Sequence, residues 1–341
     1  MFISLHSNKN DLTDTITELK KITSILLDKT SDYSAILNAC SSLKDLFYTA
    51  TGFDDSLQLY EKKIVTGAGH AIGPVQAALC ITDMMRTRVF LMGICDAIEK
   101  QLTMNPGKPV VVMYAGTGPF ATLLTPLTTV FSASQLKMVL LEINFVSKDY
   151  LEKTIRCFAM QEYVSDVIIA DATTYKVPDN YIPDIIVSET MKPALKDEPQ
   201  VNIVANLLSQ FPHALLIPES IKVSAALMGN IADADFSMKH LHDLLEVSAR
   251  TMIPLNDQKN NMTVFSEGVM VEIPEYPGRD LSTLVLDTEV TVFNGHILHF
   301  NECGLTIPVK VMDLASTAEW PLKLNFRYER KPLPGFIIQK L

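Results

Sequence analysis

The sequence lacks any long hydrophobic run. Its longest apolar stretches, such as Val110–Ala115, are far shorter than the roughly 18–20 residues that a membrane-spanning helix needs. The N-terminus also has no basic segment followed by a long apolar segment and a small-residue cleavage pattern, which a secretory signal requires. We therefore expect a cytoplasmic protein that has no membrane as a partner.

Cysteine is scarce, and positive charge is in the minority. The five cysteines are widely spread and form no C-x-x-C pair, so we expect no disulfide framework and no zinc site, and no other metal site is predicted. Lys and Arg number 29 against 39 Asp and Glu, a formal net charge of -10. This balance disfavours nucleic acid as a partner and favours a cationic substrate.

The 341 residues, 48% hydrophobic and 20% charged, divide into three regions by the period of their apolar positions. Residues 1–105 show helical spacing. Residues 106–219 alternate short apolar runs with helical stretches, which is typical of buried parallel strands joined by crossover helices. Residues 220–341 carry alternating β-branched runs, which predict a mostly antiparallel β domain. The expected fold class is therefore α/β, a Rossmann-like open sheet with a helical N-terminal region and a C-terminal β domain.

The same patterns predict individual elements. In the middle region, strands are expected at 109–115, 137–143, 167–170, 184–187 and 214–217, and crossover helices at 120–130, 148–160 and 201–210. In the last region, strands are expected at 221–225, 262–265, 269–273, 284–292 and 305–311, interrupted by one polar helix near 233–250.

A glycine turn follows the first strand predicted for the sheet. The run Gly116-Thr117-Gly118 precedes a predicted helix, and glycines there leave room for a ligand to approach the backbone. The second strand ends at Glu142, which is suited to accept hydrogen bonds from ribose hydroxyls, and the third is followed by Asp171-Ala172. Because the carboxyl ends of parallel strands meet at one sheet edge, these residues predict a nucleoside site. The alternative is a tight turn that binds nothing.

The residues after the turn distinguish between two nucleoside cofactors. Pro119 and Phe120 stand where a dinucleotide fingerprint would continue towards a third glycine. This departure disfavours NAD and favours S-adenosylmethionine (AdoMet).

The fourth predicted strand leads into two glutamates. It ends in Ser188-Glu189-Thr190-Met191, and Glu198 follows nine residues after Glu189. This pattern resembles the protein arginine methyltransferase family, a class I AdoMet-dependent methyltransferase family. The resemblance implies that Glu189 and Glu198 are the catalytic pair that holds a guanidinium, with Met191 beside the substrate. Two carboxylates are also chemically suited to bind the planar fork of a guanidinium.

Two further segments are similar to the family. The run Asp83-Met84-Met85-Arg86-Thr87-Arg88-Val89-Phe90 looks like its D-x-x-R-T-x-x-(Y/F) helix, which implies that Arg86 holds the methionine carboxylate of AdoMet. A weaker similarity is found at Ala318-Glu319-Trp320, which takes the place of the Thr-His-Trp loop in the family's β-barrel. This similarity implies a barrel-like C-terminal domain and a place for Trp320 in the substrate pocket. The alternative for Trp320, the single tryptophan, is a core residue of the β domain.

The sequence also departs from the family. No Tyr-Phe-x-x-Tyr segment precedes Arg86, and His70 or Tyr60 are the residues considered for its role of covering the cofactor. The stretch after Glu189 lacks the family's aromatic residues. We therefore expect methyl transfer from AdoMet to a guanidino or amino nitrogen, with a small molecule or free amino acid favoured over a protein.

Alternative functions stay open at this point. They are a protein arginine N-methyltransferase acting on an Arg-containing peptide, a small-molecule O- or S-methyltransferase, and an inactive cofactor-binding scaffold. The amphipathic N-terminal helices are also suited to a homodimer interface.

Overall fold

The computed structural model describes residues 9–56, 63–233, 236–256, 268–317 and 319–341. The α-helices of these residues are α1 (Lys9–Leu27), α2 (Tyr33–Thr51), α3 (Pro74–Leu79), α4 (Met84–Met104), α5 (Phe145–Cys157), α6 (Gln200–Gln210) and α7 (Ala249–Asn256). The strands are β1 (Ile64–Thr66), β2 (Gly69–Ala71), β3 (Val110–Ala115), β4 (Leu136–Glu142), β5 (Val164–Ile169), β6 (Ile185–Ser188), β7 (Leu215–Ile217), β8 (Ser220–Met228), β9 (Met238–Ser248), β10 (Val269–Ile273), β11 (Thr283–Phe293), β12 (His296–Leu298), β13 (Val309–Asp313), β14 (Leu322–Glu329) and β15 (Gly335–Lys340).

A parallel five-stranded sheet forms the centre of the molecule. Its order is β5-β4-β3-β6-β7, and every neighbouring pair is parallel. β3, β4 and β6 consist almost entirely of buried apolar residues, as expected of strands covered on both faces. The chain order reverses between β3 and β6, and open α/β sheets bind ligands at the carboxyl edge of such a switch point.

The N-terminal helices pack against this sheet domain. Phe47 of α2 stacks on Phe120 with ring centroids 5.0 Å apart and meets Phe158 edge-on at 5.1 Å. Asp32 caps α2 by accepting the Ala35 N–H. The aromatic cluster fixes α2 beside the connection that follows β3.

Two antiparallel sheets make up the C-terminal region. One has the order β12-β11-β8-β9 with β13 also on β11, and the other has the order β10-β14-β15. Asp96 of α4 joins the first sheet to the centre, because its Oδ2 atom lies 3.0 Å from His296 Nε2 and accepts a hydrogen bond from Asn294. The α/β fold class is confirmed, with its helical N-terminal region and antiparallel C-terminal region. The expected domain boundaries at 105/106 and 219/220 fall between α4 and β3 and between β7 and β8, and they stay predictions.

The prediction of a polar helix near 233–250 is wrong. Residues 238–248 form β9, which pairs antiparallel with β8, and α7 begins only at Ala249. Register shifts between Val223 and Ser224 and between Ala225 and Ala226 interrupt the two-residue alternation of this pair. The apolar residues of β9 recur at intervals of three, three, one and two, which resembles helical spacing over most of the strand.

The prediction of a helix at 120–130 is also wrong. This connection is a series of turns that ends in a short 3₁₀ helix, Pro126–Thr129. Ala121 has a φ of 43°, which an α-helix does not allow, and the Thr125 hydroxyl donates to the Phe120 carbonyl at 2.6 Å. The strand expected at 305–311 lies later, at β13, and the one at 262–265 falls outside the described residues.

Helices long and apolar enough for a membrane span are absent from the described part of the chain. Nor do the described residues bring together three or more His, Cys, Asp or Glu side chains that could hold a metal ion.

Candidate active site

One cavity opens at the carboxyl edge of the parallel sheet, beside the switch point. It spans about 980 Å³, including its open mouth. Nine of the residues predicted for the site line it: Arg86, Gly116, Thr117, Gly118, Glu142, Asp171, Ala172, Glu189 and Glu198. Among its described residues the lining thus carries four carboxyl groups and one guanidinium, so the charge of the cavity favours cations.

The glycine turn forms one wall of the cavity. Gly116 and Gly118 have φ values of 78° and 62°, a region that favours glycine. A Cβ atom on Gly116 would also collide with the methyl group of Thr190. Both the backbone conformation and the space therefore require glycine at position 116.

Glu142 ties the turn to the next helix. Its Oε2 atom accepts the Gly118 N–H at 2.7 Å, and its Oε1 atom accepts the Ile143 and Asn144 N–H groups at 2.9 and 2.8 Å. Burial raises the pKa of Glu142, and these hydrogen bonds oppose the rise. Together with the Thr117 hydroxyl, which lies 3.4 Å from Oε2, these N–H groups occupy most of the roughly four acceptor positions of a carboxylate, so Glu142 can accept at most one strong hydrogen bond from a ligand hydroxyl.

Asp171 and Ala172 line the cavity from the turn after β5. Asp171 Oδ1 accepts the N–H and the hydroxyl of Thr173 at 2.9 and 2.7 Å. Asn206 of α6 donates to the Ala172 carbonyl at 2.9 Å. The turn is therefore held by its own residues and by the neighbouring helix.

Arg86 and Glu189 form a buried ion pair across the cavity. Arg86 lies in the first turn of α4, whose N-terminus Asp83 caps. Its Nε atom donates to Glu189 Oε2 at 2.9 Å, and its Nη2 atom donates to the same oxygen. The other oxygen, Glu189 Oε1, is buried and has no hydrogen-bond partner among the described residues. Burial raises the pKa of Glu189 to about 7, although Arg86 opposes the rise.

We call residues 189–198 the glutamate loop. Gln200, which is fully buried, anchors its start: its Oε1 atom accepts from the Ser188 hydroxyl and from the Thr190 N–H and hydroxyl, and its Nε2 atom donates to the Ser188 carbonyl at 2.8 Å. These contacts leave no polar atom of the Gln200 side chain unused.

The C-terminal sheets hold the rest of the glutamate loop. The Ala194 N–H donates to Thr288 Oγ1 at 2.9 Å, and the Tyr328 hydroxyl donates to the Leu195 carbonyl at 2.7 Å. Ala194, Leu195 and Asp197 have positive φ values of 55°, 54° and 67°. Such strain persists only where surrounding contacts impose it, and here those contacts come from the β region.

Glu198 is the second buried carboxylate of the loop. Its Oε1 atom lies 3.7 Å from Lys192 Nζ. Burial raises the pKa of Glu198, and Lys192, Arg86 and Lys63 oppose the rise. Glu189 and Glu198 each raise the pKa of the Cys80 thiol, and Glu198 raises the pKa of Glu189, because a nearby negative charge disfavours ionisation.

The hairpin β1–β2 covers the side of the cavity next to Glu198. Thr66 and His70 line the cavity, and the His70 N–H donates to the Asp197 carbonyl at 2.8 Å. A Cβ atom on Gly69 would lie 2.8 Å from the same carbonyl oxygen, so glycine permits this close packing. His70 thus lines the cavity, and its role as a cofactor cover stays a prediction, whereas Tyr60 falls outside the described residues.

Among the lining residues that were not predicted for the site, two carry titratable side chains, Tyr114 and Cys80. Tyr114 of β3 is buried and lines the cavity, and its hydroxyl makes no hydrogen bond to another described residue. Burial raises the pKa of Tyr114, and the negative charge of Glu189 raises it further. Cys80 lies nearby, and burial raises its pKa to about 11. Tyr114 could have been predicted as a site residue from the sequence, because it lies two residues before Gly116 near the carboxyl end of a predicted strand.

Two predicted substrate residues lie elsewhere. Met191 is buried inside the glutamate loop and does not line the cavity. Trp320 lies next to Tyr276, with ring centroids 6.3 Å apart, and Glu319 pairs with Lys340 of β15. The segment before β14 thus faces the C-terminal sheets and not the cavity.

Similarity to known proteins is found in structure and not in sequence. No protein-family profile matches the chain, and no curated protein matches it. A chain of the Trypanosoma brucei PRMT1 enzyme–prozyme heterotetrameric complex with AdoHcy is similar with a TM-score of 0.50 at 11% identity, covering 77% of this chain and 96% of that one. Arabidopsis thaliana protein arginine methyltransferase 10 is similar with a TM-score of 0.50 at 10% identity, covering 76% and 95%. At these identities the likeness shows a shared fold.

Proposed function

We propose that this protein is an AdoMet-dependent methyltransferase whose acceptor is a guanidino or amino nitrogen. The observation that carries the proposal is the composition of one cavity: the glycine turn and Glu142 lie in the same lining as the Glu189 and Glu198 carboxylates. The fold that the chain shares with solved arginine methyltransferases supports it.

The lining residues fit AdoMet. Arg86 offers a cation for the methionine carboxylate, Glu142 offers an acceptor position for a ribose hydroxyl, and Gly116 and Gly118 leave the backbone open to close approach. Asp171 and Ala172 stand on the adjoining strand end, where the adenosine part would continue. AdoMet supplies, when bound, an electrophilic methyl group on a sulfonium, and transfer of that methyl group leaves a neutral thioether.

Glu189 is suited to hold and orient the acceptor. Its Oε1 atom is buried without a partner, and an acceptor N–H is the donor that would satisfy it. Glu198 provides a second carboxylate in the same lining, so the two can bind a guanidinium through two of its nitrogens. Placing the acceptor nitrogen and excluding water supply most of the rate in such a transfer. A carboxylate with a pKa near 7 can also accept the proton that the nitrogen loses.

A small acceptor fits the surroundings of Glu198 better than a protein does. The hairpin β1–β2 is bonded to the glutamate loop through the His70 N–H and packs tightly on it at Gly69. This cover narrows the approach to Glu198 from that side. Protein arginine methylation is the second candidate, because the solved structures of similar fold are titled as arginine methyltransferases.

Methyl transfer from isotopically labelled AdoMet tests the proposal. The acceptors are free arginine, other small guanidines and amines, and an Arg-Gly-rich peptide, with mass spectrometry as the readout. Label on a small guanidine or amine is the expected result, and label on the peptide alone would favour the second candidate. AdoMet binding with no acceptor labelled would count against catalysis and for a cofactor-binding scaffold.

A variant pair assigns the role of Glu189. Glu189→Gln should abolish turnover while AdoMet binding, measured by calorimetry, stays within about threefold, because the change leaves the glycine turn and Glu142 intact. Glu275→Gln, on an exposed glutamate outside the cavity lining, is the matched control. Equal loss of binding and turnover in Glu189→Gln would refute the assigned role.

A further inference from the structure

Each carboxylate proposed to hold the acceptor already faces a cation of the protein itself. Arg86 donates to Glu189, and the Lys192 ammonium lies 3.7 Å from Glu198 Oε1. The charge of Lys63 also lowers the pKa of Glu198, without an ion pair between the two side chains. A site built only for a cation would be expected to keep its carboxylates free of such neighbours.

Without an acceptor, the charges of these four groups cancel, because Arg86 balances Glu189 and Lys192 balances Glu198. Lys192 has Glu198 as its sole ion-pair partner in the described part of the chain. A cationic acceptor on Glu198 would therefore share one carboxylate with Lys192, and the two like charges would repel each other.

We propose that Lys192 selects an acceptor that carries its own anionic group: a guanidino or amino carboxylic acid with a free carboxylate. The acceptor's cation then binds the Glu189 and Glu198 carboxylates, and its carboxylate binds the Lys192 ammonium. Every charge of the acceptor site is balanced in this arrangement. This inference rests on the proposed function and narrows its acceptor class.

The position of Lys192 fits this role. Lys192 does not line the cavity itself: its side chain is 37% exposed, whereas that of Glu198, which lines the cavity, is 7% exposed, so Lys192 lies on the solvent side of the pair. It lies on the glutamate loop, three residues after Glu189, and Pro193 follows it. An arginine within a peptide has no free carboxylate next to its side chain, so the same lysine disfavours a protein acceptor.

Matched acceptor pairs test the proposal. Each pair sets an acid beside an analogue without the carboxylate: arginine and agmatine, guanidinoacetate and methylguanidine, and lysine and cadaverine. The measurement is kcat/KM for methyl transfer from labelled AdoMet by the full chain. Wild type should prefer the acid of the accepted pair by about tenfold or more, since a charge-assisted hydrogen bond is worth about that factor.

Three variants separate selection from folding. Lys192→Ala should lower kcat/KM for the acid about tenfold and raise it for the analogue, because both the attraction and the repulsion are removed. Lys192→Arg, which keeps the charge, should retain the preference for the acid. Lys196→Ala is the control, because Lys196 is an exposed lysine of the same loop without an ion pair to a described residue.

Several outcomes would overturn the inference. They are a wild type that prefers the analogue, equal effects of Lys192→Ala on both members of a pair, and methylation of the peptide alone. Calorimetric binding of the same pairs to wild type and Lys192→Ala gives a second readout. If nothing is methylated, the proposed function fails, whereas a Lys192-dependent preference for the acid in binding still supports the inference.

Discussion

Lowering the pH from about 8.5 to about 5.5 is expected to reduce kcat/KM for a guanidinium acceptor about 30-fold. The cause is Glu189, whose pKa burial raises to about 7. A carboxylate of that pKa is almost fully ionised at the upper pH and only about 3% ionised at the lower one. Because a cationic acceptor binds the ionised form, kcat/KM falls as the pH drops through the pKa and is constant above it.

The assay is a set of initial rates with labelled AdoMet at a saturating concentration across this pH range. The guanidinium of the acceptor does not titrate there, so the acidic limb reports groups of the enzyme. Glu189→Gln should lose about 100-fold or more in kcat/KM above about pH 8. The kcat/KM that remains in this variant should no longer fall as the pH drops through about 7.

A flat profile between about pH 5.5 and 8.5 in the wild type would refute the reasoning, provided that circular dichroism shows the fold intact over the range. So would a limb that survives in Glu189→Gln, because the titrating group would then lie elsewhere. Glu142 is the next carboxylate to examine in that case, since burial also raises its pKa.

Four substitutions extend the test to the rest of the site. Gly116→Ala should lower the free energy of unfolding by about 2 kcal/mol and abolish AdoMet binding, whereas Gly107→Ala, at a similar φ of 83° with open space around it, should leave binding unchanged. Gln200→Leu leaves buried donors unpaired and should cost about 3 kcal/mol in chemical denaturation, together with turnover. Tyr114→Phe should keep the melting temperature and lower kcat/KM about tenfold, because Tyr114 lines the cavity and its hydroxyl has no hydrogen-bond partner among the described residues. Arg86→Lys should weaken AdoMet binding about tenfold in calorimetry, because lysine lacks the planar fork.

Much of the candidate site could be predicted because its residues are placed by local rules. Short continuous apolar runs indicate buried parallel strands, and the residue types at their ends indicate what the shared edge offers a ligand. Gly116, Glu142, Asp171 and Glu189 each lie at the carboxyl end of a different strand, and the structure brings all four into one lining. Their roles stay predictions until the experiments above are done.

Spacing was a poor guide where pairing between distant strands sets the conformation. Residues 238–248 read as a helix, because their apolar positions do not alternate. They form β9 since β8 supplies a partner, and two register shifts absorb the irregular pattern. In the same way, the positive φ of Ala121 interrupts a stretch that apolar spacing predicted as a helix.

The sequence by itself determined the α/β class, the order of the three regions and the residues at the strand ends, because strand burial and strand-end chemistry are encoded within a few neighbouring positions. Tertiary structure alone decided that Arg86 pairs with Glu189, that Tyr114 lines the cavity and that Trp320 packs beside Tyr276. These contacts join segments that are distant in the chain or depend on the direction of a side chain. Residue spacing carries no information on either, and only the packed elements fix them.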